Sequence, residues 1–336
     1  MKLPKNLIAP LVVLGGLLLF DLFFTPGFFH LAWTNGRLQG SLIDILNRAA
    51  PVQILAIGMT LVIATGGVDL SVGAVMAISG TVAASLLAAA EQPGAKRSIG
   101  HSVPQVVLVS LGCSLVCGLW NGLLVSFVEL QPIVATLLLM VAGRGVAQLI
   151  ADGQIITFSN EGYGHIASGS VFIFPNPVWL ALALAFAVAA LVRRTSLGLF
   201  LEAVGGNAQA SRFSGIDSRW VKTAAYALCG LGAGLAGVIV SADIKAADAN
   251  NAGLYLELDA ILAVAIGGTS LSGGRFSLIG SVIGAILMQA LTTTVLSKGV
   301  PPPATLVLKA VVVVGVCLFQ SPKFEVWRSG IRRQPA

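Results

Sequence analysis

Long apolar runs separated by short polar gaps dominate this chain. They fall at about residues 7–24, 51–64, 72–90, 105–127, 132–151, 178–192, 221–241, 258–268, 276–296 and 304–320. A helix needs ~20 mostly apolar residues to cross a bilayer core, so the pattern predicts an all-α, polytopic integral membrane protein of about ten transmembrane helices. A membrane-spanning barrel would alternate apolar and polar residues, whereas Val178 to Val192 runs on without alternation.

Composition agrees. Of 336 residues, 56% are hydrophobic and only 10% charged, with a mean hydropathy of +0.90; soluble domains carry about 25% charge. The net charge of +6 does not point to nucleic acid, because excess Lys and Arg in a membrane protein mark cytoplasmic loops. With the N-terminus inside, the inner segments hold Lys2, Lys5, Arg193, Arg194, Arg212, Arg219, Lys222, Arg275, Lys323, Arg328, Arg332 and Arg333. The outer ones hold Arg37, Arg48, Lys96, Arg97, Lys245 and Lys298. The bias predicts that both termini are cytoplasmic. Lys2 and Lys5 before Leu7–Phe24 imitate a signal peptide, but no small-residue cleavage site follows, so a retained first helix is expected. No linker interrupts the chain, which predicts one transmembrane domain over 1–336, with its longest cytoplasmic loop at about 194–221.

Motif absences narrow the function. The chain has no G-x-x-x-x-G-K-[ST] phosphate loop, no H-E-x-x-H and no G-x-S-x-G, so nothing in it looks equipped to hydrolyse ATP, peptide or ester, and any energy source is a gradient or another subunit. Cys113, Cys117, Cys229 and Cys317 lie within apolar runs and read as small buried hydrophobes; no metal-ligand spacing is present. His30, His101 and His165 fall apart from one another in predicted outer loops.

One echo is visible. Gly66 to Gly73 and Gly267 to Gly274 share the pattern G-G-x-x-L-S-x-G, each joining a short apolar segment to a longer one. Paired Gly-interrupted segments point to a pathway built from broken helices, while chance among 39 glycines is the rival reading. Around the first copy, Thr65, Asp69 and Ser71 offer groups that hydrogen-bond a sugar hydroxyl; Asp69 equally suits a cap on the following helix. Arg144, inside the fifth span, costs ~2.5 to 3.5 kcal/mol unless it pairs or faces water. Asn121 suits an interhelical hydrogen bond, and Lys309 is expected to snorkel to the interface. Thr65, Asp69, Ser71, Asn121, Arg144, Gln148, Asp259 and Thr269 are the candidate pathway residues. In the long loop, a short helix at about Ala208 to Phe213 ended by Gly215 is expected, lying either on lipid or in a partner's groove.

At this loop a family resemblance becomes specific. Glu202-Ala203, Ala210 and Gly215-Ile216 resemble the coupling loop of ABC importer permeases. Ile57 to Gly73 is similar to the signature of the ribose-type monosaccharide permeases, and Leu256 to Gly274 to that family's second signature. Within the family, Ile43 to Pro51, Met140 to Ile150 and Ala247 to Leu254 look most like the galactofuranose permeases of enteric bacteria; Arg275 and Phe276 depart from the small residue many relatives carry. The resemblance implies an inner-membrane permease that translocates a monosaccharide, galactofuranose foremost and ribose or another pentose or hexose as the alternative. An ion-coupled secondary transporter is the more remote rival. It also implies a periplasmic sugar-binding protein, a cytoplasmic ATPase that carries the ATP and Mg, and a second homologous permease, as a heterodimer in preference to a homodimer. Glu202, Asn207, Ala210, Arg212, Phe213, Gly215 and Ile216 are then the ATPase-coupling residues; no cofactor or metal is expected on this chain.

Overall fold

The computed structural model describes residues 5–34, 37–92 and 102–320. Of the residues assigned to the inner side, Lys2, Lys323, Arg328, Arg332 and Arg333 lie outside the described residues, as do Lys96 and Arg97 of the outer side and His101.

Thirteen helices are described, eight of them long and apolar enough to cross a membrane. These eight are α1 (Lys5–Phe24), α2 (Ser41–Ala64), α3 (Val72–Glu91), α4 (Val103–Ser126), α5 (Pro132–Ile150), α7 (Asn176–Arg194), α10 (Ser218–Ile244) and α12 (Leu278–Ser297). Between them lie α6 (Glu161–Ser168), α8 (Leu197–Gly206), α9 (Ala208–Phe213) and α11 (Leu256–Ile266), and α13 (Pro302–Gln320) follows. Three two-stranded antiparallel ladders trim the loops: β1 (Ala32–Thr34) with β2 (Arg37–Gln39), β3 (Ile156–Thr157) with β6 (Ala246–Ala247), and β4 (Ser170–Val171) with β5 (Phe174–Pro175).

Every predicted span coincides with a helix, but two differ in a way that matters. The second begins at Ser41, not at Pro51, because the helix runs straight through that proline; a membrane helix tolerates the lost N–H when neighbouring segments pack around it. The eighth is α11, only 11 residues or about 16 Å long, too short to cross a bilayer alone.

α2 forms the centre: from Ala49 to Ala64 every residue is buried. It packs against α10, α11 and α12, and α10 in turn packs against α3 and α4. Small residues allow the close approach. Ser114, Gly118 and Gly122 of α4 repeat every four residues and face Gly230, Gly234 and Thr223 of α10, the small-xxx-small device of membrane helices. Hydroxyls complete the seams: Ser79 donates to the Gly234 carbonyl at 2.8 Å, and Thr60 of α2 donates to Ser281 of α12 at 2.7 Å. α1 lies at the periphery against α12 and α13. Its one acidic residue, Asp21, is fully buried and accepts from Thr294 of α12 at 2.5 Å.

Candidate functional site

Two polar regions lie inside the helical body. The first surrounds the turn between α2 and α3. Thr65 ends α2 by donating to the Val62 carbonyl at 2.8 Å. Asp69, 1% exposed, accepts at one oxygen from the Ser71 N–H (2.9 Å), the Ser71 hydroxyl (2.6 Å) and the Asn121 amide (3.4 Å). Asn121 also donates to the Ser71 hydroxyl at 2.8 Å, and Tyr226 donates to the Val68 carbonyl at 3.3 Å. The turn is thus held by α4 and α10 together, and the buried Asp69 carboxylate is met by three donors.

The second region surrounds Arg144, roughly 18 Å along α5. Its guanidinium donates to the carbonyls of Ala249 (3.1 Å) and Ala252 (2.5 Å), and Gln148 one turn on donates to Asn250 at 2.6 Å. These partners belong to the irregular segment between α10 and α11. That segment is built on left-handed conformations at Lys245, Gly253 and Tyr255 and reaches Gly73 at the start of α3, where a Cβ would stand 2.4 Å from both the Gly253 carbonyl oxygen and Glu257. Glu257 is 5% exposed, and one of its oxygens has no hydrogen-bond partner.

Asp259 stands elsewhere. It forms a 2.8 Å ion pair with Lys309 of α13, both side chains largely covered. Lys309 therefore does not snorkel: a carboxylate 50 residues earlier in the chain meets its charge inside the protein. Thr269, buried in the turn after α11, accepts from the Ser277 N–H at 3.1 Å. Of the eight candidate pathway residues the structure brings Asp69, Ser71 and Asn121 together, sets Thr65 at the head of the same turn, pairs Arg144 with Gln148, and leaves Asp259 and Thr269 apart.

A further polar opening escaped the sequence reading. A cleft of about 610 Å³ lies among α2, α10 and α12, with Asn47, Arg48, Asp243, Gln289, Thr292 and Thr293 on its walls. On sequence these groups are scattered near helix ends, and no motif joins them. Glu257 and Asp21 escaped notice for the same reason.

At the other end of the helices, α9 occupies the residues the spacing predicts. Asn207 caps it by accepting from the Ala210 N–H at 2.9 Å, and Gly215 turns the chain with φ +83°. Phe213 is 85% exposed, and Glu202, Ala210 and Arg212 are exposed as well. α8, which precedes α9, goes beyond the short helix expected at about Ala208 to Phe213. Beside α9 a basic groove of about 480 Å³ is lined by Glu129, Gln131, Gln209, Arg212, Arg219 and Lys222, with Arg219 and Glu129 3.5 Å apart. Among the described residues no group of three or more His, Cys, Asp or Glu is placed to hold a metal ion.

Comparison with known proteins decides the family. Residues 41–317 match the family described as branched-chain amino acid transport system / permease component. The chain belongs to this permease family. The permease is 52% identical over 322 residues to the galactofuranose transporter permease protein YtfT of Escherichia coli (strain K12), covering 96% of this chain and 92% of that one. It is 38% identical to the fructose import permease protein FruF of Bifidobacterium longum (99% and 93% covered) and 34% identical to the ribose import permease protein RbsC of Escherichia coli (95% and 94%). No solved structure matches it. The permease is accordingly a multi-pass membrane subunit of a transport system, and transport, not covalent chemistry, is its work.

Proposed function

We propose that this chain, as a single domain, is the permease subunit of an ATP-driven ABC importer that carries galactofuranose from the periplasm into the cytoplasm. The observation that carries the reading is the 52% identity, along nearly the whole of both chains, to a galactofuranose permease; the fructose and ribose permeases, at 38% and 34%, support a monosaccharide of the same size class. Both termini lie in the cytoplasm of the inner membrane, a loaded sugar-binding protein docks on the α6 end, and a second, homologous permease completes the pathway. ATP and Mg sit on a separate ATPase.

Arg144 supports the placing of that pathway. It is half-buried on α5, and a cation at such depth cannot face hydrocarbon without a cost of ~2.5 to 3.5 kcal/mol. The carbonyls of Ala249 and Ala252 meet part of that cost, and the face bearing Arg144 and Gln148 is placed against a polar cavity shared with the second permease. The sugar meets carbonyls and amides there, and the Asp69 turn forms the inner end of the same route. ATP favours one access state only through differential contacts with the two states, and the exposed surface of α9, with Phe213 and Arg212, supplies them by entering a groove on the ATPase.

Affinity purification from mild detergent, followed by mass spectrometry of the bound proteins, tests this assembly. An ATPase and a second, related permease are expected to remain bound, and Arg212→Glu, which reverses a charge on the docking surface, is expected to release the ATPase. Unchanged recovery of the ATPase by that variant refutes the docking surface; a chain that purifies alone and still transports refutes the importer.

A further inference from the structure

Three segments distant in sequence meet backbone to backbone at Gly205, in the last turn of α8. A Cβ at Gly205 would stand 1.7 Å from the Ala64 carbonyl oxygen and 2.5 Å from the Gly274 nitrogen. The Gly274 N–H donates to that same Ala64 carbonyl at 3.0 Å. A Cβ at Gly273 would stand 2.8 Å from the Gly205 oxygen and 2.9 Å from the Gly66 nitrogen. Gly66 and Gly273, at φ +79° and +90°, hold conformations that other residues rarely adopt. The two G-G-x-x-L-S-x-G turns therefore touch each other, and the end of α8 is wedged against both. Gly206, the next residue, has open space around it, so the close approach belongs to Gly205 and not to the glycine pair.

We infer that this glycine joint carries the motion of α8 and α9 to both turns at once, and that Gly205 is a positioning residue for transport. The inference rests on reading α9 as the ATPase-facing helix. Contacts between side chains yield by rotamer changes, whereas main chain against main chain has no rotamer to absorb a displacement. The hydrogen bond from Gly274 to Ala64 ties the turns so that they move together. One of them leads directly into Thr65 and Asp69, and the other contains Thr269. Gly205 itself touches no sugar.

The complete importer, reconstituted with its ATPase and binding protein, tests the joint by comparing Gly205→Ala with Gly206→Ala. Gly205→Ala is expected to retain the ATPase and hydrolyse ATP while sugar uptake falls on the order of tenfold, within the range of site-to-site couplings. The ATP consumed per sugar rises by the same factor. Gly206→Ala is expected to leave the ratio unchanged. A normal ratio in Gly205→Ala overturns the inference. Should that variant fail to assemble, spin labels at Gly206→Cys and Ser272→Cys, with Cys113, Cys117 and Cys317 replaced by serine and Cys229 buried at 1% exposure, keep the native glycine joint. Their separation is expected to be the same in nucleotide-free and ATP-trapped complexes; a change shows that the joint is not rigid and overturns the inference. Retention of the ATPase by Arg212→Glu, in contrast, faults the docking surface and not the joint.

Discussion

Gly230→Val is expected to leave little folded protein in the membrane. A Cβ at this position would stand 2.7 Å from the Ser114 carbonyl oxygen and 2.8 to 2.9 Å from the backbone of Gly118. Both helices are long and anchored elsewhere, by Ser79 on the Gly234 carbonyl and by Thr223 on the Gly122 carbonyl, so they cannot separate locally without breaking those bonds. α10 also packs against α2 and α3, which means that the strain spreads through the centre of the bundle. The cost is put at no less than ~3 kcal/mol, the upper end of ordinary overpacking. Gly112→Val, on α4 where a Cβ meets open space, is the matched comparison. Size-exclusion profiles and thermal unfolding in detergent are expected to show a monodisperse, normally stable Gly112→Val and an aggregated or absent Gly230→Val. Equal profiles would mean that α4 and α10 do not cross as described.

Arg144→Leu is expected to lower sugar uptake more than tenfold while the complex still assembles. The variant leaves the carbonyls of Ala249 and Ala252 without the donor that now serves both, and the loss of a hydrogen bond from a charged donor costs about 1.5 to 3 kcal/mol. That loss releases the segment between α10 and α11 from α5. The same segment leads to Glu257, whose unpartnered oxygen lies at the start of α3, so a local loss at Arg144 reaches two further helices. Arg144→Lys is expected to fall between the two, because an ammonium offers a compact point charge in place of the guanidinium's planar fork. Uptake assays paired with recovery of the bound ATPase separate the outcomes; normal uptake by Arg144→Leu removes this face from the pathway.

The spans were legible because bilayer thickness imposes a length and an apolar composition that a sequence displays directly. Their ends were less so. Pro51 looked like a helix start, yet packing of α2 on every side keeps the helix intact through it. α8 was not legible in the loop, and the close approach of Ala64 and Gly274 explains a glycine at its end. Pairings across the chain were not legible at all, because periodicity records burial and not partners. Asn121 was read as a generic interhelical donor, and only the fold brings it to Asp69, 52 residues away. Lys309 was read as reaching for the interface, and Asp259 meets it instead. The echo of Gly66 to Gly73 in Gly267 to Gly274 was the opposite case: pattern alone could not separate repeat from chance, and in the folded chain the two turns lie against each other.

Sugar uptake into proteoliposomes bears most directly on the reading as a whole. The chain would be reconstituted with its ATPase and second permease, with sugar-loaded binding protein outside and either ATP or an ion gradient as the energy source. Radiolabelled galactofuranose is expected to accumulate only with ATP, and only while the binding protein and ATPase are both present. Accumulation driven by a proton or sodium gradient with the chain alone would show a secondary transporter in place of an ATP-driven importer.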